Sequence, residues 1–315
     1  MGILRTFALG GIHPDENKLS SNAAIEEIPV PKQAIVPLGQ NLGAPSKPIV
    51  KKGDDVKVGQ LIAEAGGFIS TNIHSPVSGK VFKIDNSMDA SGFRRPCIII
   101  NVDGDEWDES VDTTKDLISD INIESKEIIE RIKNAGIVGM GGATFPTYVK
   151  LMPPPGKTAE YLIINGVECE PYLTSDHRMM LEKGREIVIG IKILMKALNV
   201  NKAFIGIENN KPDAISHMRE LVRENDDIQV QPLKVQYPQG GEKQLIKASV
   251  NREVPSGKLP IEVGCVVQNV GTAFAVYEAV QKNKPLIERV VTVTGKAVKK
   301  PSNFRVRIGT PINVL

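Results

Sequence analysis

Cysteine, histidine and aromatic residues are scarce in this 315-residue chain, which has three cysteines, four histidines and 4% aromatic residues. Cys97, Cys169 and Cys265 lie too far apart in sequence for a disulfide framework or a metal-ligand spacing. The low aromatic content and the formal net charge of +2 argue against a nucleic-acid partner. No apolar run approaches the length of a membrane-spanning helix, so we expect no direct membrane span.

A secretion signal is also lacking, because the Gly-Gly-Ile-His-Pro phrase at residues 10–14 interrupts the apolar run that a signal peptide needs. Together with the few, scattered cysteines, this predicts a cytoplasmic, reducing location. The chain is long enough for two or three domains with sizeable cores.

Residues 1–105 combine short apolar segments with frequent glycine and proline, which predicts a β-rich domain. The Gly-Asp-x-Val-x-x-Gly-Gln phrase at 53–60 and the Ser-Pro-x-x-Gly-x-Val phrase at 75–81 resemble those of lipoyl and biotinyl barrel-sandwich domains. In such carrier domains the tip of the intervening hairpin holds a lysine. Residues 64–68 contain none, so we expect an unmodified domain.

The character of the chain changes after an acidic, polar stretch at 106–123, which we interpret as a linker. Over 124–285, apolar strands alternate with amphipathic helices, which predicts an α/β domain with a Rossmann-like parallel sheet covered on both faces. Ser125 and Asp176 are expected helix caps, the second for one long helix that continues to Leu198. Residues 286–315 return to strands and resemble the start of a β-grasp module, so we expect a chain shortened before a further domain.

A glycine-rich segment follows the first helix of the α/β region. Gly139, Gly141 and Gly142 let the backbone approach a ligand closely. Phe145 offers an aromatic face for a planar ring, and Lys150 offers a cation for a phosphate or ribose. The segment does not match the dinucleotide fingerprint, which requires a preceding strand. For the glycines alone, a tight turn that starts a helix is the alternative interpretation.

An acidic segment follows the next predicted strand. Asn165, Glu168 and Glu170 come just after residues 161–164, and residues past the carboxyl ends of parallel strands face the ligand crevice. Carboxylates there would accept hydrogen bonds from ribityl or ribose hydroxyls, although a solvated acidic loop is the alternative. Cys169 between them is expected to be a small buried residue rather than a nucleophile.

Two further polar segments lie between strands and helices. Tyr237, Gly241 and Glu242 precede a predicted helix whose N-terminus would favour an anion. Asn269 and Thr272 offer amide and hydroxyl groups at another strand end, where simple helix capping is the alternative. Four such segments predict one shared crevice.

Together these phrases resemble the flavin-binding subunit of respiratory complex I and its relatives. The Gly-x-Gly-Gly-Ala-x-Phe-Pro-Thr-x-x-Lys phrase at 139–150 and the Asn-x-x-Glu-x-Glu-Pro phrase at 165–171 carry most of the resemblance. The phrases at 10–14 and 35–45 are similar to the C subunit of the Rnf electron-transport complex, which extends the resemblance to nearly the whole chain.

The resemblance implies binding of FMN and NAD(H), with NADH stacked near Phe145, phosphate at Lys150 and the nicotinamide or ribose at Glu242. It implies a cofactor-binding set without catalytic side chains and without a metal ligand: Gly139, Gly141, Gly142, Phe145, Lys150, Asn165, Glu168, Glu170, Tyr237, Gly241, Glu242, Asn269 and Thr272.

An NADH-dependent flavin oxidoreductase subunit is the activity that the resemblance implies. The Rnf complex moves electrons between NAD and ferredoxin and couples this to ion transport. The subunit would lie on the inner face of the cell membrane, bound to partner subunits. The family carries two 4Fe-4S clusters in a later region, and because this sequence has no Cys-x-x-Cys run, we expect it to be inactive as an electron relay by itself.

The sequence departs from complex I at two positions, where Met140 replaces an arginine and Val167 replaces an aspartate. One cation and one carboxylate of that family's pattern are therefore missing. Two other functions stay open: a cobalamin reductase of a metabolic compartment, and a non-catalytic docking scaffold with a decayed nucleotide site. Binding of FMN or NADH would separate the scaffold from the enzymes.

Overall fold

The first third of the chain forms two small antiparallel sheets that share one core. The computed structural model describes residues 4–8, 10–89 and 91–315. The strands before the linker are β1 (Ile25–Glu27), β2 (Gln33–Pro37), β3 (Lys47–Pro48), β4 (Asp55–Val56), β5 (Leu61–Glu64), β6 (Ile73–His74), β7 (Gly79–Met88) and β8 (Arg94–Val102). One sheet has the order β2-β8-β7-β4 and the other β3-β5-β6.

The core of these two sheets consists of aliphatic side chains that alternate along the strands with more exposed ones. Val36, Ile62, Ile98 and Ile100 are fully buried between the sheets. Their alternation follows from the two-residue period of a strand, which turns every second side chain inward. The hairpin between β5 and β6 carries the tip without lysine, and Phe68 on this tip is exposed.

After the linker, helices and strands alternate as the sequence predicts. They are α1 (Ser125–Asn134), α2 (Thr147–Lys150), β9 (Tyr161–Asn165), α3 (Ser175–Glu182), α4 (Gly184–Leu198), β10 (Ala203–Glu208), α5 (Pro212–Leu221), β11 (Ile228–Leu233), α6 (Glu242–Val250), β12 (Cys265–Asn269), α7 (Val270–Gln281), β13 (Glu288–Val293) and β14 (Ser302–Arg307). Short 3-10 helices cover Pro260–Val263 and Ile312–Val314.

A parallel sheet of four strands in the order β11-β10-β9-β12 forms the centre of this region. Leu162 and Ile164 of β9 pack in the core that contains α4 and α7, whereas Ile163 packs on the other face with Leu245 of α6. The sheet is thus covered on both faces. The strand order reverses at β9, because β10 and β11 extend to one side of it and β12 to the other.

Two details of the predicted helices are wrong. The expected long helix from Asp176 is divided into α3 and α4 at Lys183. Gly184 packs so closely on α5 that a Cβ there would lie 2.6 Å from Leu221 Cδ1. Ser125 does not cap α1, since its hydroxyl donates to the carbonyl of Lys196 at 2.7 Å. Both differences come from tertiary contacts that a local pattern does not contain.

The early and late parts of the chain meet in a fourth sheet, of the order β1-β14-β13, which we call the late sheet. β1 pairs in parallel with β14, and β14 pairs antiparallel with β13. Before β1, residues 4–8 and 10–18 run along the α/β region, and we call them the strap. The strap makes bridges from Arg5 to Leu233 and from Ile12 to Tyr237.

Charged side chains join the late sheet to α7 and to the linker. Lys284 pairs with Glu278 at 2.8 Å and also with Glu288, which in turn meets Arg305 and Arg307. The Arg307 guanidinium also lies 4.7 Å from the ring centre of the linker residue Trp107. Within the described part of the chain, no helix is both long and apolar enough to cross a membrane.

Candidate functional site

Residues 139–146, which we call the glycine loop, expose a row of backbone N–H groups. The loop is closed by a 2.9 Å hydrogen bond from Gly139 N to Phe145 O, and a 2.9 Å bond from Met140 N to Thr272 Oγ1 ties it to α7. Gly141, Gly142 and Ala143 are exposed, and their N–H groups donate to no other residue in the described ranges. Three adjacent donors are therefore available to a ligand.

Gly142 is the residue of this loop that most requires glycine. Its φ is +114°, a conformation that L side chains rarely adopt, and no atom lies within 4 Å of the place where a Cβ would stand. The space beside the backbone is thus open while the backbone shape itself is restricted to glycine.

Residues 166–174, which we call the acidic loop, connect β9 to α3. The Glu168 side chain is buried, and its Oε1 accepts hydrogen bonds from Asp176 N at 2.8 Å and Ser175 Oγ at 3.3 Å. Its Oε2 accepts a third from His177 N at 3.2 Å. Glu168 therefore caps α3, where a carboxylate is also favoured by the positive end of the helix dipole. Glu170 is the exposed carboxylate of the pair.

Lys18 of the strap fastens the acidic loop from outside. Its ammonium donates to the carbonyl oxygens of Glu168, Glu170 and Leu173 at 2.7–2.9 Å. Burial lowers the pKa of Lys18 below its usual value, and the nearby Glu168 carboxylate opposes that shift. The sequence analysis missed this residue, because a lone lysine 150 positions before its partner carries no local signal.

Both loops hold residues in strained backbone conformations. Thr144, Glu168 and Tyr172 have φ values of +48°, +48° and +72°, and every other non-glycine residue with positive φ in the described ranges is an asparagine. Asparagine tolerates this region, whereas other residue types adopt it at a cost that the surrounding contacts must offset. Such strain is typical of loops whose shape serves a ligand.

Two asparagines stand at the carboxyl ends of β9 and β12, where the strand order reverses. Asn165 and Asn269 are register partners, and Asn165 Nδ2 donates to Gly240 O at 2.8 Å. Asn269 Oδ1 accepts from Gly271 N at 2.8 Å, so the capping interpretation of this segment is confirmed. Asn269 Nδ2 donates to Asp176 Oδ2 at 2.6 Å, which links α3 to the start of α7.

Asp176 is a site residue that sequence analysis assigned to the wrong role. Its carboxylate bonds Asn269 instead of capping α3, because Glu168 already occupies the end of that helix. Burial raises the pKa of Asp176 to about 7, and the negative charge of Glu168 adds to the shift. A carboxyl that titrates near neutrality therefore lies against the reversal point of the sheet.

The third predicted segment, residues 237–242, leads into α6. Lys150 Nζ lies 2.8 Å from Glu242 Oε1 and donates to Val267 O at 3.1 Å. Tyr237 exchanges two 2.8 Å backbone hydrogen bonds with Ile12 of the strap, and Gly241 is the N-cap residue of α6. A Cβ on Gly141 of the glycine loop would stand 3.4 Å from that of Asn269.

These contacts bring all four predicted segments together at the carboxyl ends of the parallel strands. The contacts are Met140 with Thr272, Asn165 with Gly240, and Lys150 with Glu242. The side chains of Phe145, Glu170 and Tyr237 belong to the same loops, but they make no hydrogen bond or ring contact elsewhere in the described chain.

The N-terminal domain also reaches the crevice. Leu42 N donates to Thr144 O of the glycine loop at 3.0 Å, and the Tyr148 hydroxyl donates to the carbonyl of Phe68 on the hairpin tip. The N-terminal domain therefore contacts the glycine loop through Leu42 and α2 through its hairpin tip, and its sequence indicates neither contact.

Cys169 and the other thiols do not form a reactive centre. Cys169 Sγ accepts a 3.3 Å hydrogen bond from Gly240 N, and burial raises the pKa of its thiol to about 11. Cys169 is half-buried and packs against the core of α6 and β12. No cluster of three or more metal-ligating side chains occurs within residues 4–8, 10–89 and 91–315.

Three family models match the chain. The RnfC barrel sandwich hybrid domain matches residues 6–105, the Nuo51 FMN-binding domain matches residues 132–278, and the SLBB domain matches residues 290–314. Among solved structures, the air-oxidized NAD+-reducing NiFe-hydrogenase has a similar fold, with a TM-score of 0.51 and 22% identity over 58% of this chain and 37% of that one. This likeness concerns the fold alone.

Curated relatives match almost the full chain. The C subunit of the proton-translocating ferredoxin:NAD(+) oxidoreductase complex of Clostridium ljungdahlii is 49% identical over 98% of this chain and 67% of its own length. The corresponding protein of the Na(+)-translocating complex of Acetobacterium woodii is 44% identical over 96% and 68%. That of the ion-translocating oxidoreductase complex of Rhodobacter capsulatus is 44% identical over 98% and 60%.

The barrel-sandwich, parallel-sheet and late β-module predictions are confirmed by these matches, and so is the resemblance drawn from the four motifs. The chain spans 60–68% of the length of the three relatives. With 44–49% identity to them, it belongs to the RnfC family, the C subunits of ion-translocating ferredoxin:NAD(+) oxidoreductase complexes.

Proposed function

We propose that this chain binds FMN and NAD(H) in the crevice between β9 and β12 and serves as the nicotinamide-linked subunit of an ion-translocating ferredoxin:NAD(+) oxidoreductase complex. The single observation that carries the proposal is the row of exposed N–H groups at Gly141, Gly142 and Ala143, set beside the reversal point of a parallel sheet. Ligands of open α/β sheets bind at such reversal points. The match to the FMN-binding domain family supports FMN as the ligand.

The residues present fit a flavin nucleotide. A flavin nucleotide offers phosphate oxygens, ring nitrogens and carbonyl oxygens, each of which can accept hydrogen bonds from the N–H groups of the glycine loop, and the open space at Gly142 admits a group close to the backbone. The exposed Glu170 carboxylate is available to accept hydrogen bonds from ribityl hydroxyls. Lys150 and Glu242 are available to bind polar groups of the dinucleotide. Glu168 acts on the ligand indirectly, because its oxygens already serve α3.

Bound FMN would supply the chemistry, accepting a hydride from NADH and giving up electrons one at a time. The side chains of the chain bind and orient. Asn165 and Asn269 fix the two strand ends, Lys18 and Glu168 hold the acidic loop, and Phe145 offers a ring face near the loop. No side chain is required as a general acid or base for the hydride step.

The partners of the whole complex are part of the proposal. The relatives are named as subunits of ion-translocating oxidoreductase complexes, and they extend well beyond the matched region. Electrons would pass from this crevice to iron–sulfur clusters outside this sequence and to partner subunits at the inner face of the membrane. Without those clusters we expect the chain to reduce its flavin but not to relay electrons onward.

An anaerobic NADH titration of the purified chain tests the proposal. The chain is incubated with FMN, desalted, and followed by flavin absorbance near its visible maximum as NADH is added. We expect retained flavin that is bleached by one equivalent of NADH. If no flavin is retained, and neither FMN nor NADH raises the melting temperature, the chain is instead a docking scaffold and the proposal fails.

A further inference from the structure

Arg289 of β13 is a cation that the proposed site has not yet used. Its side chain is exposed, and Nη2 approaches the carbonyl of Met140 in the glycine loop at 3.5 Å. The other arginines of this sheet have acidic partners, since Arg305 pairs with Glu288 and Arg307 with Asp105. Arg289 has no ion pair with any residue that the structure describes.

The position of Arg289 is fixed by the sheet rather than by its own side-chain contacts. β13 and β14 pair over six residues, with Arg289 opposite Val306. The preceding residue, Glu288, is held by Lys284. The backbone that carries Arg289 is therefore rigid, while the guanidinium keeps most of its five N–H donors free.

Arg289 shares a wall with the glycine loop and the start of α7. A small cavity of about 40 Å³ lies between α3, α7 and β13, and its lining includes Met140, Asp176, Gly271 and Arg289. The Arg289 guanidinium from the late sheet therefore lies at the start of the glycine loop, beside the residue that precedes the exposed N–H row. Three N–H donors and a forked cation together suit a phosphate, which accepts several charge-assisted hydrogen bonds at once.

The charges around this wall agree with that role. The acidic residues that line it are Asp176, Glu278 and Glu288, and the cations are Arg289 and Arg305, with Lys284 paired to both glutamates. Without Arg289, a phosphate here would meet net negative charge. The arginine is therefore the element that makes the wall acceptable to an anion.

We infer that Arg289, together with the N–H groups of the glycine loop, binds a phosphate group of the nucleotide in the crevice. The inference rests on the proposed function and deepens it by adding a residue of the late β-module to the binding site. Two ligands carry the required chemistry, the monophosphate of FMN and the diphosphate of the dinucleotide, and the experiment separates them.

Calorimetric titration of the full chain tests the inference with FMN, riboflavin and ADP-ribose as ligands. Riboflavin lacks the phosphate of FMN, and ADP-ribose carries the diphosphate without the nicotinamide. The variants are Arg289→Gln, Arg289→Lys and the control Arg223→Gln, whose arginine is 69% exposed and pairs with Glu220. Arg289→Gln should weaken FMN about tenfold, as expected for one charge-assisted hydrogen bond, and leave riboflavin unchanged.

Each outcome decides the inference. Arg289→Lys should recover part of the loss, because it keeps the charge without the fork, and Arg223→Gln should change nothing. A loss confined to ADP-ribose would support phosphate binding and assign it to the dinucleotide. Equal losses for FMN and riboflavin, or no loss for any ligand, would overturn the inference while FMN binding by the unmodified chain would keep the proposed function.

Discussion

The acidic loop and the glycine loop lie side by side, but the chain treats their polar groups in opposite ways. The polar groups of the acidic loop are satisfied by other parts of the chain, since Glu168 accepts three hydrogen bonds from α3 and Lys18 of the strap donates three. The glycine loop leaves the N–H groups of Gly141, Gly142 and Ala143 open to solvent. Both loops contain residues with strained backbone conformations. The loops therefore differ in how fully their polar groups are hydrogen-bonded, and not in backbone strain.

This difference assigns separate tasks to the two motifs. A buried, fully bonded carboxylate such as Glu168 shapes a loop, and losing it costs stability because its donors are left unpaired. An exposed N–H row contributes little to stability, because water satisfies it, but it is free to bind a ligand. Substitutions in the acidic loop should therefore lower mainly the folding stability, and substitutions in the glycine loop should lower mainly the ligand affinity.

The largest effect is expected in the glycine loop, whose N–H groups are open to solvent. Gly142→Val places a β-branched side chain at φ +114° and should displace the N–H row, so FMN affinity should fall at least about 100-fold. Calorimetric titration measures the loss. Gly156→Val is the matched control, because Gly156 also has positive φ and open surroundings but lies in the turn before β9. Similar FMN affinity in the two variants would contradict the assignment.

The next largest effect is expected in the acidic loop, whose polar groups are hydrogen-bonded. Glu168→Ala removes the acceptor of three donors at the start of α3 and should lower the free energy of unfolding by about 2 kcal/mol. Urea unfolding measures this change. Glu170→Ala, two residues away and exposed, should cost less than about 0.5 kcal/mol. Equal stability of the two alanine variants would contradict the stabilising role assigned to Glu168.

A smaller effect should appear in the pH dependence of stability. The pKa of Asp176 is raised to about 7 in the folded chain from an ordinary 3.8, so the folded state holds the proton more tightly. The resulting stabilisation is complete below about pH 4 and is lost as the pH rises through 7.

Asp176→Asn removes that titration and keeps an acceptor for Asn269. Relative to the unmodified chain, it should gain about 1 kcal/mol between pH 6 and pH 7.5, as measured by urea unfolding at each pH. Glu170→Gln should show no such gain. Parallel stability curves for Asp176→Asn and the unmodified chain would exclude a raised pKa.

The smallest effect is expected where α2, which follows the glycine loop, is joined to α6. Lys150 and Glu242 are 31% and 39% exposed, so a double-mutant cycle with Lys150→Met and Glu242→Gln should give a coupling of about 0.5 kcal/mol that weakens in 1 M salt. The exposed pair Arg223 and Glu220 should give almost none. A salt-independent coupling would point to packing rather than to charge.

Local pattern sufficed for much of the fold. The apolar run that becomes β9 and the polar residues at the starts of α6 and α7 were predicted correctly, because strand period, helix period and turn residues act over a few positions. The four motifs could be assigned to one crevice, since the carboxyl ends of parallel strands share an edge.

What the sequence could not predict depends on distant partners. Lys18 meets carbonyl groups about 150 residues away, and Arg289 meets the glycine loop from 149 residues away. Asp176 has the residue type and position of a helix cap, but Glu168 of the preceding acidic loop occupies that place. Each of these roles is decided by tertiary contacts, which override a correct local preference.

The parallel pairing of β1 with β14 has a consequence for how the protein is made. Ile25 pairs with Asn303, so the first strand of the chain waits for a partner that is translated 278 residues later. At a usual synthesis rate of 5–20 residues per second, that delay is roughly 14 to 56 seconds. During this delay the strap and β1 have already left the ribosome, but the surfaces that they will cover have not yet been made. The late sheet forms only when synthesis has passed Arg307.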